Sequence, residues 1–275
     1  MNSSSKSTAV AASAGAARIA DRFRTCREEG RAALVGYLTA YDPDREGSLA
    51  RIFAACEAGL DVLELGVPFS DPAADGPTIQ EAMGRALAAG ATLEGSLEIA
   101  AAVRERFDLP IVLFGYANPL LRRSPEELCQ SLVAAGVDGL LVVDLPPEHC
   151  GILRDPARAA GLDWIGLCAP TSTEARIGRV IEVTTGFVYA VSLTGVTGTK
   201  LDVTDSGLHA QLASLRERAG IPVAVGFGVR EAEQVRALAG HADGVVVGSA
   251  LVEAGKAGPE ALAAKIRALA GGLAR

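Results

Sequence analysis

Short apolar runs alternate regularly with single amphipathic stretches along most of this chain of 275 residues. The stretches have the apolar spacing of helices, for example Glu46–Glu57, Pro125–Ala135, Leu208–Ala219 and Glu231–Ala239. Each run is almost continuously apolar, as expected of a strand in a parallel sheet that helices cover. Eight strands are predicted in this way: Ala33–Thr39, Val62–Val67, Ile111–Tyr116, Leu140–Leu145, Trp164–Cys168, Phe187–Ser192, Val223–Gly226 and Val245–Gly248.

A recurring turn narrows this α/β prediction. Ala58–Asp61, Ala135–Asp138 and Ala160–Asp163 each read Ala-Gly-apolar-Asp between a helix and a strand, and His241–Gly244 is a looser version. A glycine just past a helix takes the left-handed conformation and turns the chain into the next strand. One turn per strand–helix unit predicts a (β/α)8 TIM barrel, here with an extra N-terminal helix. The alternative is a doubly wound open sheet, but the first strand–helix turn lacks G-x-G-x-x-G.

The domain organisation follows from the same pattern. A single barrel domain is predicted over residues 17–275, beginning with a helix near Ala17–Glu29, where apolar residues fall at helical spacing. Residues 1–16 are small and polar without an aromatic side chain, so we expect a disordered tail. A short transit peptide is the alternative, and the segment lacks the apolar region of a secretory signal.

Composition excludes several classes of function. The net charge is −7 and no Lys/Arg cluster is present, which argues against nucleic acid or a membrane surface as partner. The apolar runs are too short to span a bilayer. Five dispersed cysteines without a C-x-x-C pair suit a reducing cytoplasm, and together with three dispersed histidines they provide no metal framework.

The reaction class is limited by what the strands lack. The lysines, Lys6, Lys200, Lys256 and Lys265, all lie outside the predicted strands, which disfavours a Schiff-base aldolase. No cofactor fingerprint is present either. Carboxylates, hydroxyls and backbone dipoles remain, and they favour proton transfer on a phosphate-bearing substrate.

Three carboxylates cluster where the second predicted strand meets its loop, in LELGVPFSDPAADGPTIQ, residues 63–80. Glu64 interrupts an apolar strand, where an unpaired carboxylate is costly unless its pKa rises and it holds a proton. Such a group is typical of an acid or base poised near neutral pH. The alternative is an ion-paired or solvated strand-end glutamate. Asp75 follows in a turn, whereas Asp71 precedes a proline and is expected to anchor its own turn.

The last two predicted strands end in glycines that favour a phosphate site. Gly226 and Gly228 follow the seventh strand, and Gly248 and Ser249 follow the eighth at the start of a short helix. Backbone N–H groups at these positions approach an anion closely, and (β/α)8 enzymes commonly bind phosphate there. The alternative is that these glycines only form tight turns.

The remaining strand ends predict a substrate pocket. The Gly- and Thr-rich loop at residues 193–200 is predicted to be a mobile lid, with a plain surface loop as the alternative. Tyr37, Tyr116 and Tyr189 lie at or near three strand ends and are candidates to line a pocket for a flat aromatic substrate. Packing alone is the alternative explanation for these tyrosines.

These motifs, in this order, resemble the tryptophan synthase alpha-chain family. The resemblance runs from about Ala17 to the C-terminus and is carried by LELGVPFSDPAADGPTIQ, GYANP, VSLTGVTG, VGFGV and VVVGSALV. It implies a retro-aldol cleavage of indole-3-glycerol phosphate to indole and glyceraldehyde 3-phosphate, without a cofactor. It also implies a pyridoxal-phosphate-dependent beta chain as partner, in an alpha2-beta2 complex.

The resemblance also implies roles for particular residues. Glu64 matches the acid–base group and Asp75 the carboxylate that accepts the indole N–H, with Tyr189 as an active-site tyrosine. The implied substrate-binding residues are Tyr37, Tyr116, Thr197 and Phe227, and the implied phosphate donors are Gly198, Gly226, Gly228, Gly248 and Ser249. Two positions depart from the pattern of some members: Leu193 replaces a lid arginine and Tyr37 replaces a phenylalanine.

Three alternatives to this implied function stay open at this point. They are a stand-alone lyase that releases free indole, a related isomerase or synthase of the histidine and tryptophan pathways, and a non-catalytic chain that activates a beta partner. The second would usually show a strand lysine or a different acid–base pair. The loop after Glu64 and the apolar segment Pro119–Leu121 are candidate contacts for a beta chain, or else they pack locally.

Overall fold

The structure, a computed structural model, describes residues 5–192, 203, 205–226 and 228–274, with residues 5–16 as backbone only. Its strands are β1 Ala33–Thr39, β2 Val62–Gly66, β3 Ile111–Gly115, β4 Gly139–Val142, β5 Asp163–Trp164, β6 Gly166–Cys168, β7 Val188–Val191, β8 Val223–Gly226 and β9 Gly244–Val247. Its helices are α1 Ser5–Glu28, α2 Arg45–Glu57, α3 Pro77–Ala88, α4 Leu93–Arg104, α5 Ala117–Leu120, α6 Pro125–Ala134, α7 Gly151–Ala159, α8 Glu174–Val183, α9 Ser206–Ala219, α10 Ala232–Ala239, α11 Ser249–Gly255 and α12 Pro259–Ala270.

The strands form one parallel sheet in the order β5-β4-β3-β2-β1-β9-β8-β7-β6. Its two edge strands, β5 and β6, are separated in the chain only by Ile165, so the sheet closes into a ring. β5 and β6 together take the place of one predicted strand. The predicted (β/α)8 barrel is therefore confirmed.

The apolar core has two layers. The larger cluster lies between the sheet and the surrounding helices and includes Leu34, Leu63 and Leu113. The smaller cluster fills the interior of the ring and includes Val35, Val112 and Phe114, which alternate along the strands with the outer set. α1 contributes Ile19 and Phe23 to the interior cluster and closes the ring at the amino ends of the strands. This helix begins at Ser5, earlier than the predicted start near Ala17.

The recurring Ala-Gly-apolar-Asp turn fastens neighbouring strands at that end. Its glycines have positive φ angles of 103°, 76° and 85° at residues 59, 136 and 161, as predicted. The aspartate carboxylates of two turns accept a backbone N–H at the start of the adjacent strand: Leu34 N–H donates to Asp61 over 2.8 Å and Ile111 N–H to Asp138 over 2.8 Å. The looser turn does the same, since Val223 N–H donates to Asp243 over 3.0 Å.

The two ends of the barrel segment meet at this same face. Arg31, just before β1, forms an antiparallel bridge with Ala274, and Ala32 N–H donates to Leu273 O over 3.0 Å. The C-terminal residues are therefore fixed at the amino ends of the strands. This is the end of the barrel opposite to the loops that follow the strands.

No single helix in the described part of the chain is long and apolar enough to cross a membrane. α3 and α4 pass that test only as a pair, by length and composition, and they are bent by 102° at their junction.

Candidate active site

Glu64 lies on the inner face of the ring, in the middle of β2. Its neighbours across the ladder are Tyr37 in β1 and Val112 in β3, and both of these side chains belong to the interior cluster. The glutamate is buried. Among the described residues, its Oε1 atom is the only buried side-chain nitrogen or oxygen without a hydrogen-bond partner. The alternative of an ion-paired or solvated glutamate at the strand end therefore does not hold among the described residues.

Burial without a partner raises the pKa of Glu64 from its ordinary value of 4.5 to about 8. The cause is loss of hydration, which disfavours the charged carboxylate. At neutral pH the side chain therefore holds a proton. A protonated carboxyl in an apolar setting can deliver that proton to a substrate and take one back, as a general acid–base group requires.

Asp75 lies in the loop between β2 and α3 and is also buried. Tyr116, at the end of β3, donates its hydroxyl proton to Asp75 Oδ2 over 2.6 Å and accepts Ala74 N–H over 3.0 Å. Burial raises the pKa of Asp75 from 3.8 to about 6, and the bond from Tyr116 opposes that rise. Asp75 is therefore largely ionised at neutral pH, in contrast to Glu64.

Tyr37 and Tyr189 complete the interior wall around these carboxyl groups. Both are buried in the interior cluster, and burial first, with Glu64 and Asp75 adding to it, raises their pKa values well above 10. Tyr37 stands where some family members carry phenylalanine. Its hydroxyl accepts a hydrogen bond from Thr39 Oγ1 over 3.3 Å. The structure thus brings Tyr37, Tyr116 and Tyr189 together around Glu64 and Asp75.

The glycines predicted to bind phosphate border the same wall. A Cβ atom at Gly226 would lie 2.6 Å from the Tyr189 hydroxyl oxygen, so only glycine fits beside that ring. Gly248 precedes α11 and lies against Tyr37. A Cβ atom placed on this glycine would be 3.5 Å from the Cβ atom of Tyr37. Gly228 and Ser249 flank these positions at the carboxyl ends of β8 and β9. An ester bound at these glycines would lie beside the tyrosines and carboxyl groups.

Several predicted residues lie outside the described part of the structure. They are the lid residues Leu193, Thr197, Gly198 and Lys200, together with Phe227, so their predicted roles stay predictions. Asp71 is described, and it is exposed and bonded by the Ser70 hydroxyl, as expected for a residue that anchors its own turn.

Sequence reasoning did not predict two contacts of the Asp75 loop. Tyr116 was expected to line the pocket, but its hydroxyl also bonds the Asp75 carboxylate. Gln80, the last residue of the Leu63–Gln80 motif, donates its side-chain amide to the carbonyls of Asp75 and Pro72. Its place at the end of that motif was the only signal in the sequence.

The described residues contain no group of three or more His, Cys, Asp or Glu side chains that could hold a metal ion. Glu64 and Asp75 provide one protonated and one ionised carboxyl group, a combination suited to acid–base chemistry. They lie in an interior lined by aromatic rings.

Comparisons with known proteins agree on one family. The family model of the tryptophan synthase alpha chain matches residues 23–274. The tryptophan synthase alpha chain of Halorhodospira halophila is 52% identical over 237 residues, covering 86% of each chain. That of Gluconacetobacter diazotrophicus is 49% identical over 254 residues, covering 89% of this chain and 92% of its own.

Solved structures give the same result. A structure of Mycobacterium tuberculosis tryptophan synthase superposes with a TM-score of 0.88 at 38% identity, covering 94% of this chain and 98% of that one. The tryptophan synthase subunit alpha of Legionella pneumophila superposes with a TM-score of 0.83 at 34% identity, covering 92% and 96%. The similarity therefore extends over the whole barrel.

Proposed function

This chain belongs to the tryptophan synthase alpha chain family, and on that premise we propose that Glu64 is the acid–base group of its reaction. As a member of the family the chain is an enzyme of tryptophan biosynthesis, a carbon–carbon lyase that cleaves indole-3-glycerol phosphate. Indole leaves as a carbon leaving group only after C3 of the ring is protonated. Glu64 donates that proton and afterwards takes one from the glycerol hydroxyl.

One observation carries this proposal. Glu64 Oε1 is buried in the barrel interior without a hydrogen-bond partner among the described residues, and burial raises the pKa of this carboxyl to about 8. The side chain is thus protonated at neutral pH, and no described group competes with a substrate for it. General acid–base help of this kind contributes about 10²–10⁴ in rate.

Asp75 supplies the complementary charge in this proposal. Its pKa of about 6 leaves it ionised at neutral pH, while Tyr116 occupies only Oδ2. The other oxygen accepts the indole N–H and stabilises the positive charge that grows as C3 is protonated. Tyr189 is the third proposed catalytic residue, since its hydroxyl lies against Gly226 and is close enough to Glu64 and Asp75 for their charges to add to burial in raising its pKa.

The remaining substrate contacts follow from the family and the position of the glycines. Tyr37, Tyr116, Thr197 and Phe227 bind the indole and glycerol parts of the substrate. Backbone N–H groups at Gly198, Gly226, Gly228, Gly248 and Ser249 bind the phosphate. No cofactor takes part in this cleavage.

We further propose that the chain acts in the cytoplasm in an alpha2-beta2 complex with a pyridoxal-phosphate-dependent beta chain. A beta-chain partner is implied by the family, and the stoichiometry is part of the proposal. Leu121, which follows α5 at the carboxyl ends of the strands, is partly exposed, whereas Leu120 is buried. Leu121 is thus the apolar side chain of the Pro119–Leu121 segment that is available to a partner.

The test is an assay of indole release from indole-3-glycerol phosphate by the purified chain, with and without a beta chain. We expect release by the wild type, and a loss of about 10²–10⁴-fold in Glu64→Gln. Glu126→Gln, the same change at an exposed site on α6, is the control and should retain full activity.

Each other outcome selects a different function. Full activity in Glu64→Gln would refute the acid–base assignment. High activity that a beta chain does not change would identify a stand-alone lyase. A chain that never releases indole but activates a beta chain would be regulatory.

A further inference from the structure

The loop that carries Asp75 is tied to the helix that follows it by a single side chain. Gln80, in the first turns of α3, donates its Nε2 hydrogens to Asp75 O over 2.9 Å and to Pro72 O over 3.3 Å. Pro72 O also accepts Asp75 N–H over 3.1 Å. One amide group therefore bridges two carbonyls that bracket the turn on which Asp75 is mounted.

We propose that Gln80 is a positioning residue, whose side-chain amide holds the Asp75 loop in the conformation in which the carboxylate meets the substrate. The proposal rests on the role proposed for Asp75 above. Gln80 itself touches no reacting atom in this scheme. It bonds only the backbone of the loop, whereas Tyr116 bonds both the Asp75 carboxylate and the Ala74 N–H.

The composition of the loop explains why a side chain is needed here. Pro72 and Pro77 have no N–H to donate, and Gly76, which precedes α3, offers no side chain to cap the helix. The described bonds inside the loop are short-range, from Ala73 N–H to Asp71 O and from Asp75 N–H to Pro72 O. Among the described residues, Gln80 and Tyr116 supply the side-chain ties that fix the segment from Pro72 to Asp75.

The helix that carries Gln80 is itself anchored on two sides. Arg85, one turn further along α3, forms a two-pronged bond with the buried Asp42 carboxylate over 2.7 and 3.0 Å. Glu81 forms an ion pair with Lys256, just after α11, at 3.3 Å. A side chain on α3 is thus mounted on a fixed element, so its bonds determine where the loop lies.

The informative variant is Gln80→Glu. The new carboxylate has nearly the shape of the amide, but it cannot donate a hydrogen bond to either carbonyl. A negative charge near the N-terminus of a helix is favourable, so α3 should remain folded. Gln130→Glu, the same change at an exposed site on α6, is the matched control.

We expect Gln80→Glu to lower kcat for indole release by about tenfold, with KM changed less than about twofold. The reason is that a displaced Asp75 loses charge stabilisation made mainly in the transition state. In an Asp75→Asn background the same change should cost less than about twofold, because the group it positions is gone. A structural defect would instead lower activity equally in both backgrounds.

Amide hydrogen exchange, measured on the same proteins, does not depend on turnover. We expect the peptide covering residues 73–79 to exchange faster in Gln80→Glu and unchanged in Gln130→Glu. Unaltered exchange in Gln80→Glu would overturn the inference, even if the wild type proved inactive. Indole release by the wild type together with an unaltered kcat in Gln80→Glu would also overturn it, and would leave the proposed function standing.

Discussion

At Glu64 the protein buries a carboxyl group that no described neighbour satisfies. Such burial lowers stability, and a group retained at this cost is typical of a functional site. The cost depends on pH because the folded chain keeps the proton up to about pH 8, whereas the unfolded chain releases it near 4.5. Between these values the folded state binds more protons, so this group lowers stability as pH rises.

The replacement Glu64→Gln should remove that dependence. We expect the variant to unfold at a higher temperature than the wild type at pH 8, and the difference to shrink steadily towards pH 5. Thermal unfolding followed by circular dichroism across this range measures it. A difference that is constant with pH, or that grows as pH falls, would contradict the raised pKa of Glu64.

The pH dependence of catalysis follows from the opposite protonation of the two carboxyl groups. Cleavage needs Glu64 protonated and Asp75 ionised, so kcat/KM should fall below about pH 6 and above about pH 8. In Tyr116→Phe the bond that opposes the rise in the pKa of Asp75 is lost. We therefore expect the acidic limb to move to higher pH, while the alkaline limb stays in place.

We expect Tyr116→Phe to lower kcat at neutral pH by about tenfold, because a hydrogen bond to a charged group is removed. A pH–rate profile of indole release by the wild type and by Tyr116→Phe measures both the position of the two limbs and the loss in kcat. Tyr41→Phe is a suitable control, because it removes a hydroxyl on the outer side of the barrel, against Gly95 of α4. Identical acidic limbs in Tyr116→Phe and wild type would count against the assigned bond.

Glu64 and Asp75 could be selected as candidates from the sequence, because a carboxylate inside an apolar run or beside a rigid turn is visible there, and both side chains are buried. The bonds of Tyr116 and Gln80 to the Asp75 loop were not predictable. They depend on the path of the loop between β2 and α3, which the prolines and glycines restrict but do not determine.

At the scale of elements, the recurring turn does more than reverse the chain. The buried carboxylate of Asp138, in one of these turns, accepts the Ile111 N–H and forms ion pairs with both Arg18 and Arg104. Removing it leaves a backbone N–H without its acceptor and takes the buried carboxylate away from both arginines. We expect Asp138→Ala to reduce the free energy of unfolding by about 3 kcal/mol, as for other broken buried pairs, measured by urea denaturation.

Asp108 is a matched control for this prediction, because it bonds the same two arginines from the surface. Its side chain is 89% exposed, against 1% for Asp138. Asp108→Ala should therefore cost less than about 1 kcal/mol. Equal losses in the two variants would show that burial of the turn aspartate has no special weight.

The helices and strands were largely predictable, since β1 and β8 match their predicted bounds and the other strands differ by one to three residues at one or both ends. The interruption at Ile165 was not. There the turn before β7 bonds the preceding residue, with Thr185 N–H donating to Trp164 O over 3.0 Å and Trp164 N–H to Thr185 Oγ1 over 2.9 Å. The hydroxyl of a residue distant in sequence thus accepts the Trp164 N–H, which no local pattern indicates.

At the scale of the whole molecule, two leucines allow the proposed partner surface to be tested. Leu121 and Leu87 are 36% and 37% exposed, but Leu121 lies at the carboxyl ends of the strands and Leu87 at the far end of α3. We expect Leu121→Asp to weaken binding of a beta chain by about tenfold or more, and Leu87→Asp to leave it unchanged. Titration calorimetry with a purified beta chain measures both.

Equal weakening by both variants would indicate a general loss of structure. No weakening by either would place the contact surface elsewhere. The barrel itself was predictable because its unit repeats along the chain, whereas a contact surface is formed by one copy of that unit and has no repeat to reveal it.

The bridge between Arg31 and Ala274 has a practical consequence. It holds the C-terminus of the chain at the amino ends of the strands, on the side of the barrel away from Glu64 and Asp75. A dye, an affinity handle or a solid support attached beyond Ala274 therefore leaves the mouth of the barrel facing the bulk solution. Immobilised in that orientation, the enzyme stays open to its substrate.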